Sequence, residues 1–86
     1  MQMQKEIATI LMNEWDPIGI KGVPQAQDEY DVYAMHIASM LNFGSTESEI
    51  VLYIFKSETE SMGLKGDLLR AARVAKNVCE VRNRVP

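Results

Sequence analysis

The sequence WDPIG at positions 15–19, followed by DEYD at positions 28–31, separates two helical patterns and decides where this chain turns. Proline disfavours helical geometry in the residue before it, so a helix that starts near the N-terminus is expected to end before Asp16. Prolines and glycines recur between residues 16 and 25, which predicts a loop that turns more than once. Because aromatic, turn-forming and acidic residues are concentrated here, we expect recognition or chemistry in this part of the chain.

Apolar residues at helical spacings predict four helices, over about residues 2–14, 26–43, 47–61 and 67–83. No segment alternates with period two for long enough to indicate a strand. The side chains predicted to face inward are Met3, Ile7, Ile10, Leu11, Tyr30, Tyr33, Ala34, Ile37, Met40, Leu41, Ile50, Val51, Ile54, Phe55, Leu68, Ala71, Ala72, Ala75, Val78 and Cys79.

The ends of these helices carry recognisable signals. Gly44 and Gly63 are predicted to end the second and third helices, because glycine adopts the left-handed conformation of a helix stop. Thr46 and Glu49 have the spacing of a capping box, in which each side chain accepts a backbone amide of the other residue. Asp67 is expected to cap the fourth helix.

The predicted fold class is therefore all-α, a compact bundle of four helices in a single domain over residues 1–86, with an ordered Gly/Pro loop at 16–25. The small alanines of the fourth helix allow a neighbouring helix to approach closely. Its expected bulky neighbours are Trp15, Tyr30, Tyr33 and Phe55.

Composition limits the class of protein. With 86 residues, 47% hydrophobic and 24% charged, the chain is typical of a small globular domain and too short for a deep interior cleft. Its one cysteine, Cys79, cannot form an internal disulfide, and a domain of this size usually has disulfides when secreted. The N-terminus lacks the apolar run of a signal peptide, and no stretch is long enough to span a membrane. A cytoplasmic protein with no membrane partner is predicted.

The formal net charge of −3 conceals an asymmetry. Residues 1–64 contain three basic and ten acidic residues, whereas residues 65–86 contain six basic and two acidic residues. Two interpretations fit: the basic last helix pairs with acidic neighbours, or its basic flank contacts a partner. Nucleic acid is disfavoured, because no helix-turn-helix signature precedes the helix and the whole chain is acidic. The flank consists of Arg70, Arg73, Lys76, Arg82 and Arg84.

The residue types that carry chemistry do not form a catalytic pattern. Asp16, Asp28, Glu29 and Asp31 offer oxygen ligands, but their spacing is not that of a calcium loop, and acids at a helix start commonly act as caps. His36, the only histidine, has no sequence neighbour spaced as a catalytic partner. We predict no enzyme activity, no catalytic residue, no metal and no cofactor. Cys79 is interpreted as a small core residue.

A recognition surface is predicted on the second helix, opposite its apolar arc. It consists of Asp28, Val32, Met35, His36 and Ser39, because exposed Val and Met one turn apart are typical of a small partner-binding patch. The other interpretation is that this helix is buried on both sides.

A second group of residues is predicted to specify the fold. Trp15 is expected to close one end of the bundle, and Asp16 to accept amides of the Ile18–Gly19 turn. Asp28 or Asp31 is expected to hold the loop against the second helix, and an inward Tyr30 requires a partner for its hydroxyl. The full group is Trp15, Asp16, Pro17, Gly19, Tyr30 and Asp31.

These motifs, with the apolar helix that follows them and the Ala/Arg-rich last helix, resemble a small bacterial family of unknown function that includes the Bacillus YugE-like proteins. The resemblance covers most of the chain. It implies a compact all-α fold in a bacterial cytosolic protein and implies no activity. The chain departs from the Bacillus pattern in a longer loop at 21–27 and in the turn at 61–64.

Three classes of function remain open. The first is a non-catalytic protein-interaction module of the immunity-protein or antitoxin type, or a regulatory one, because an acidic helical protein is suited to covering a basic partner. The second is a structural homo-oligomer, such as a homodimer, formed through Val32 and Met35 or through the last helix. The third is a metal or ligand site at Asp16, Asp28 and Asp31, or a small enzyme built on these residues and His36. We expect the first, with another protein as the partner.

Overall fold

The computed structural model describes residues 2–84, apart from the side chains of Gln2 and Arg84, and contains four α-helices in this range. They are α1 (Gln2–Ile10), α2 (Asp31–Asn42), α3 (Glu47–Lys56) and α4 (Leu68–Arg84). The described residues form no strand, so the predicted all-α fold class is confirmed.

Two of the helices continue as wider, π-helical turns. α1 leads into the first π turn, Leu11–Trp15, and α3 leads into the second, Ser57–Ser61. The amide that follows each turn donates to the carbonyl five residues earlier, Asp16 to Leu11 at 2.9 Å and Met62 to Ser57 at 3.0 Å. With these turns included, both helical segments end within a residue of the predicted positions.

The start of α2 was predicted too early. Instead of a helix from residue 26, the chain makes one 3-10 turn at Pro24–Ala26 and a further turn before α2 begins at Asp31. The Gln27 side chain donates to the carbonyls of Lys21 at 3.0 Å and Val23 at 2.8 Å. A side chain that bonds to nearby carbonyls stabilises a tight turn in competition with a helix, which explains the later start.

The predicted helix ends are confirmed. After α2, the Gly44 amide donates to Leu41 and the Ser45 amide to Met40, the two hydrogen bonds of a Schellman motif, with Gly44 at φ +83°. Thr46 and Glu49 form both bonds of the capping box at the start of α3. The Asp67 carboxylate accepts the Arg70 amide at 3.0 Å and caps α4.

One cluster of buried side chains joins all four helices. α1 packs against α2 and α4, and α3 packs against α4. Its members are Ile7, Leu11, Met12, Trp15, Tyr30, Ala34, Ile37, Leu41, Ile50, Ile54, Ala71, Val74, Ala75, Val78 and Cys79.

Two residues of α4 were wrongly predicted to be buried. Leu68 is 57% exposed, because it lies in the first turn of α4, before Ala71, where the buried part of this helix begins. Ala72 is exposed because the buried stripe of α4 runs through Ala71 and Ala75, and each residue turns a helix by about 100°.

Candidate functional site

The loop after the first π turn is organised around Asp16. This residue has left-handed backbone angles, φ 33° and ψ 58°, and its carboxylate accepts the amides of Ile20 at 2.8 Å and Lys21 at 3.1 Å. The prediction that it accepts amides of the Ile18–Gly19 turn was wrong. The Gly19 amide instead donates to the Asp16 backbone carbonyl at 3.2 Å, so the side chain reaches the next amides along the chain.

Tyr30 connects this loop to the start of α2. Its hydroxyl donates to the Asp16 carboxylate at 2.9 Å and accepts the Ile18 amide at 3.4 Å, which supplies the polar partner expected for a buried tyrosine. Burial, followed by the hydrogen bond to Asp16, raises the pKa of Tyr30 above its ordinary value. The phenol therefore remains a hydrogen-bond donor at every ordinary pH.

The pKa of Asp16 shifts in the opposite direction. Burial alone would raise it, but the hydrogen bonds from the Ile20 amide, the Tyr30 hydroxyl and the Lys21 amide together outweigh burial and lower the pKa. The ionised carboxylate is thus the form that holds the loop.

The other acids of this segment do not take the predicted role. Asp28 and Asp31 are exposed, and the Asp31 amide donates to the Asp28 backbone carbonyl at 3.1 Å. Asp16 with Tyr30, rather than either of these carboxylates, holds the loop against α2. Across the described residues, no group of three or more His, Cys, Asp or Glu side chains is placed to bind a metal ion.

The two π turns meet at Glu58, which was not singled out in the sequence. Glu58 is fully buried and accepts the Trp15 indole N–H at 2.5 Å and the Asp67 amide at 2.8 Å. Its carboxylate also pairs with the Arg70 guanidinium at 3.3 Å. A signal was available, because Glu58 follows the inward-facing Ile54 by one helical turn.

A groove between α2 and the α3 segment is the main concave surface near the predicted recognition residues. Its volume is about 510 Å³. Two tyrosines and a histidine form much of its wall, and hydroxyl and carboxylate groups complete it. The lining residues are Glu29, Val32, Tyr33, His36, Tyr53, Ser57 and Ser61.

The aromatic walls of the groove contact one another. The ring centres of Tyr33 and Tyr53 are 6.5 Å apart, and His36 lies with its Nδ1 3.0 Å from the Tyr53 hydroxyl. Tyr33 in turn packs edge-on against Trp15, with ring centres 5.6 Å apart. Burial and the neighbouring Tyr33 raise the pKa of Tyr53, against the opposing effect of Ser57, so Tyr53 stays protonated near neutral pH.

The predicted recognition residues fall into two parts. Val32 and His36 line the groove, whereas Asp28, Met35 and Ser39 are exposed outside it. Val32 is 57% and Met35 48% exposed, so the alternative that α2 is buried on both sides is wrong. Phe43, which was not predicted, extends the exposed side of α2 beyond the last turn and is 87% exposed. Its position next to a helix-ending glycine was the only sequence signal.

The basic flank of α4 is partly engaged within the molecule. Arg70 pairs with Glu58, and Arg82 donates to the Ser45 carbonyl at 3.1 Å. Arg73 and Lys76 are exposed, while the side chain of Arg84 lies outside the described part.

Comparisons with protein-family models, with curated proteins and with solved structures give no match for this chain. The resemblance to the YugE-like family therefore stays a prediction. Over the described residues, each helix is too short or too polar to cross a membrane.

Proposed function

We propose that this protein is a non-catalytic interaction module that binds another protein through α2. The observation that carries the proposal is an aromatic groove beside exposed apolar side chains on the same helix. Contiguous exposed apolar residues with a polar rim are typical of protein-binding surfaces. We define the α2 docking face as the groove together with Val32, Met35, Ser39 and Phe43.

The charge around this face supports a basic partner. Asp28, Glu29 and Asp31 are exposed where α2 begins, and Glu29 also lines the groove. Opposite charges accelerate encounter and disfavour acidic competitors. A cytoplasmic module that covers a basic protein surface, as immunity proteins and antitoxins do, is the form of this function that we favour.

The test is affinity capture with tagged protein in the organism that encodes it. Val32→Lys/Met35→Lys places two positive charges on the docking face, where they would repel a basic partner, and both side chains are exposed enough for the fold to tolerate the change. The matched control is Leu68→Lys/Leu69→Lys on α4, whose side chains are 57% and 83% exposed. The control adds the same charge at a different surface.

We expect the wild type and the control to retain one stoichiometric partner that the α2 variant loses. Equal capture by all three proteins would contradict docking through α2. Loss in the control alone would move the interface to the start of α4.

Self-association through the same face is a second candidate, because Phe43 is 87% exposed. Sedimentation velocity at rising concentration tests it. A dimer that Phe43→Asp dissociates would favour this candidate, and a monomer at every concentration would remove it.

A further inference from the structure

We propose that the groove between α2 and the α3 segment binds a lysine or arginine side chain of a basic protein segment, with an adjacent apolar residue of that segment in the neighbouring pocket. This inference rests on the proposed function, since it names the chemistry of the partner at the docking face. Its support is the combination of aromatic faces, one carboxylate and the shape of the cavity.

The walls of the groove match a cation. Tyr33 and Tyr53 both line it, with ring centres 6.5 Å apart and planes inclined at 53°. Ammonium and guanidinium groups bind to the π faces of aromatic rings, and two tyrosines in one wall offer such faces to a cation in the groove. His36, 6.0 Å from Tyr53 between ring centres, extends the same wall.

The side chains of these walls are held by contacts within the protein. The Tyr53 hydroxyl is bonded to His36 at 3.0 Å, and Tyr33 is held edge-on by Trp15, which is itself only 2% exposed. Side chains fixed by other contacts lose little conformational freedom on binding. Tyr33 and Tyr53 should therefore lose little conformational freedom when a ligand binds.

The charge of the lining residues favours a positively charged ligand. Of the seven lining residues, all within the described part of the chain, Glu29 carries the carboxylate and none is Lys or Arg. A phosphate or an acidic side chain would meet this carboxylate without a lysine or arginine to compensate it. A basic side chain gains both an ion pair with Glu29 and contact with the rings.

The shape of the cavity indicates that its ligand is a peptide segment rather than a single small cation. A smaller pocket of about 180 Å³ adjoins the groove, shares Glu29 and Tyr33 with it, and is completed by Ile18, Tyr30 and Met62. Its apolar walls suit a leucine or isoleucine side chain. A basic residue followed by an apolar one can fill both cavities at once.

The test uses blocked peptides of sequence Gly-Xaa-Leu-Gly, in which Xaa is arginine, lysine, norleucine or glutamate, with agmatine as a free small cation. Binding is followed by NMR of the labelled protein. We expect saturable shifts at Tyr33, His36 and Tyr53 with the arginine and lysine peptides, and at least about fivefold weaker binding of the norleucine peptide.

Matched variants locate the cation. Glu29→Gln should weaken the arginine peptide by about fivefold, whereas Glu80→Gln, an exposed acid of α4 outside the groove, should leave it unchanged. Tyr53→Phe keeps the aromatic face and should retain binding, and Tyr53→Leu should abolish it. Circular dichroism verifies that each variant is folded.

Equal binding of the norleucine and arginine peptides would overturn the cation assignment. Agmatine binding as tightly as the arginine peptide would overturn the assignment to a protein segment. If the peptides fail but the α2 variant still loses a captured partner, the inference is wrong and the proposed function stands. If the arginine peptide binds and no partner is captured through α2, the proposed function fails instead.

Discussion

Asp16 combines an unfavourable backbone conformation with the bonds that hold the loop. A left-handed conformation costs a residue with a side chain about 1–2 kcal/mol, and Asp16 is the only non-glycine residue with positive φ in the described range. Its carboxylate offsets this cost through the amides of Ile20 and Lys21 and the hydroxyl of Tyr30. Substitutions of Asp16 can therefore separate the cost of its backbone conformation from the stabilisation that its side-chain hydrogen bonds provide.

Two variants of Asp16 make this separation, with the free energy of unfolding measured by urea denaturation. Asp16→Ala should lower the free energy of unfolding by about 2–4 kcal/mol, because it keeps the strained backbone conformation and removes every hydrogen bond of the side chain. Asp16→Gly should lose about 1 kcal/mol less than the alanine variant, because glycine adopts positive φ freely. Equal losses in the two variants would contradict a backbone contribution.

The pH dependence of stability in the Asp16→Asn variant tests whether the ionised carboxylate of Asp16 stabilises the fold. The folded state lowers the pKa of Asp16, so the protonated form binds more weakly to the loop and the stabilisation requires ionisation. The difference in unfolding free energy between wild type and variant should be complete above the ordinary carboxyl pKa of about 4 and shrink as the pH falls through the lower folded value. A difference that persists in acid would contradict this interpretation.

Glu58 and Arg70 form an ion pair whose members differ in access to water. The Glu58 side chain is fully buried, whereas that of Arg70 is 27% exposed. Arg70→Leu leaves the buried Glu58 carboxylate without its cation and should lower the free energy of unfolding by about 3 kcal/mol, whereas Glu58→Gln leaves a guanidinium that water can reach and should lower it by less. The double variant should lose less than the sum by about 1–3 kcal/mol in a double-mutant cycle. Additive losses would show that the two groups act independently.

At the scale of elements, the connection between α3 and α4 depends on a close approach at Gly66. It has φ +88°, and a Cβ built on it would lie 2.7 Å from both Phe55 Cε1 and Thr59 Cγ2. Gly63 also has positive φ, +68°, but a Cβ there meets nothing within 4 Å. The second π turn thus leads into a connection with one crowded and one open glycine.

Alanine substitutions distinguish these two glycines in thermal denaturation. Gly63→Ala should cost about 1 kcal/mol from backbone strain alone. Gly66→Ala should cost at least about 1 kcal/mol more, since the added methyl group must displace an aromatic ring. Gly22→Ala, which has no positive φ and no close neighbour, is the control and should leave stability nearly unchanged. Equal melting temperatures for the Gly63 and Gly66 variants would contradict the crowding.

Local signals explain how much of these elements was predictable. The helix caps at Gly44 and Thr46 depend on residues that are close in sequence. The end of α2 and the start of α3 could therefore be predicted from the sequence. The start of α2 did not, because the side chain of Gln27 competes for backbone carbonyls. The groove and the burial of Glu58 depend on how far apart two helices lie, and periodicity does not encode that distance.

Within the described residues, a buried cluster joins the four helices, and Cys79 belongs to it. Burial raises the pKa of the Cys79 thiol, and the Glu47 carboxylate raises it further, so the thiol is both enclosed and protonated. Only the thiolate reacts rapidly with alkylating reagents. The rate of alkylation therefore reports exposure of the core.

We expect Cys79 labelling and far-UV circular dichroism to give coincident urea transitions, as for a small two-state domain. In native conditions, labelling should be slower than that of an unfolded control by at least about a hundredfold, a factor that needs only about 3 kcal/mol of stability. Labelling that precedes loss of helix would show that α4 opens separately from the rest.

Trp15 gives the same molecule an optical reporter without any added dye. It is the single tryptophan, it is 2% exposed, and its indole N–H faces a carboxylate while Tyr30 and Tyr33 lie 5.3 and 5.6 Å away. Its emission therefore originates from one dry environment at the junction of both π turns. Because Tyr33 also lines the groove, a ligand bound in the groove and an opening of the buried core should both change the emission of Trp15. A change in the Trp15 spectrum while the helix content stays constant would report ligand binding without unfolding.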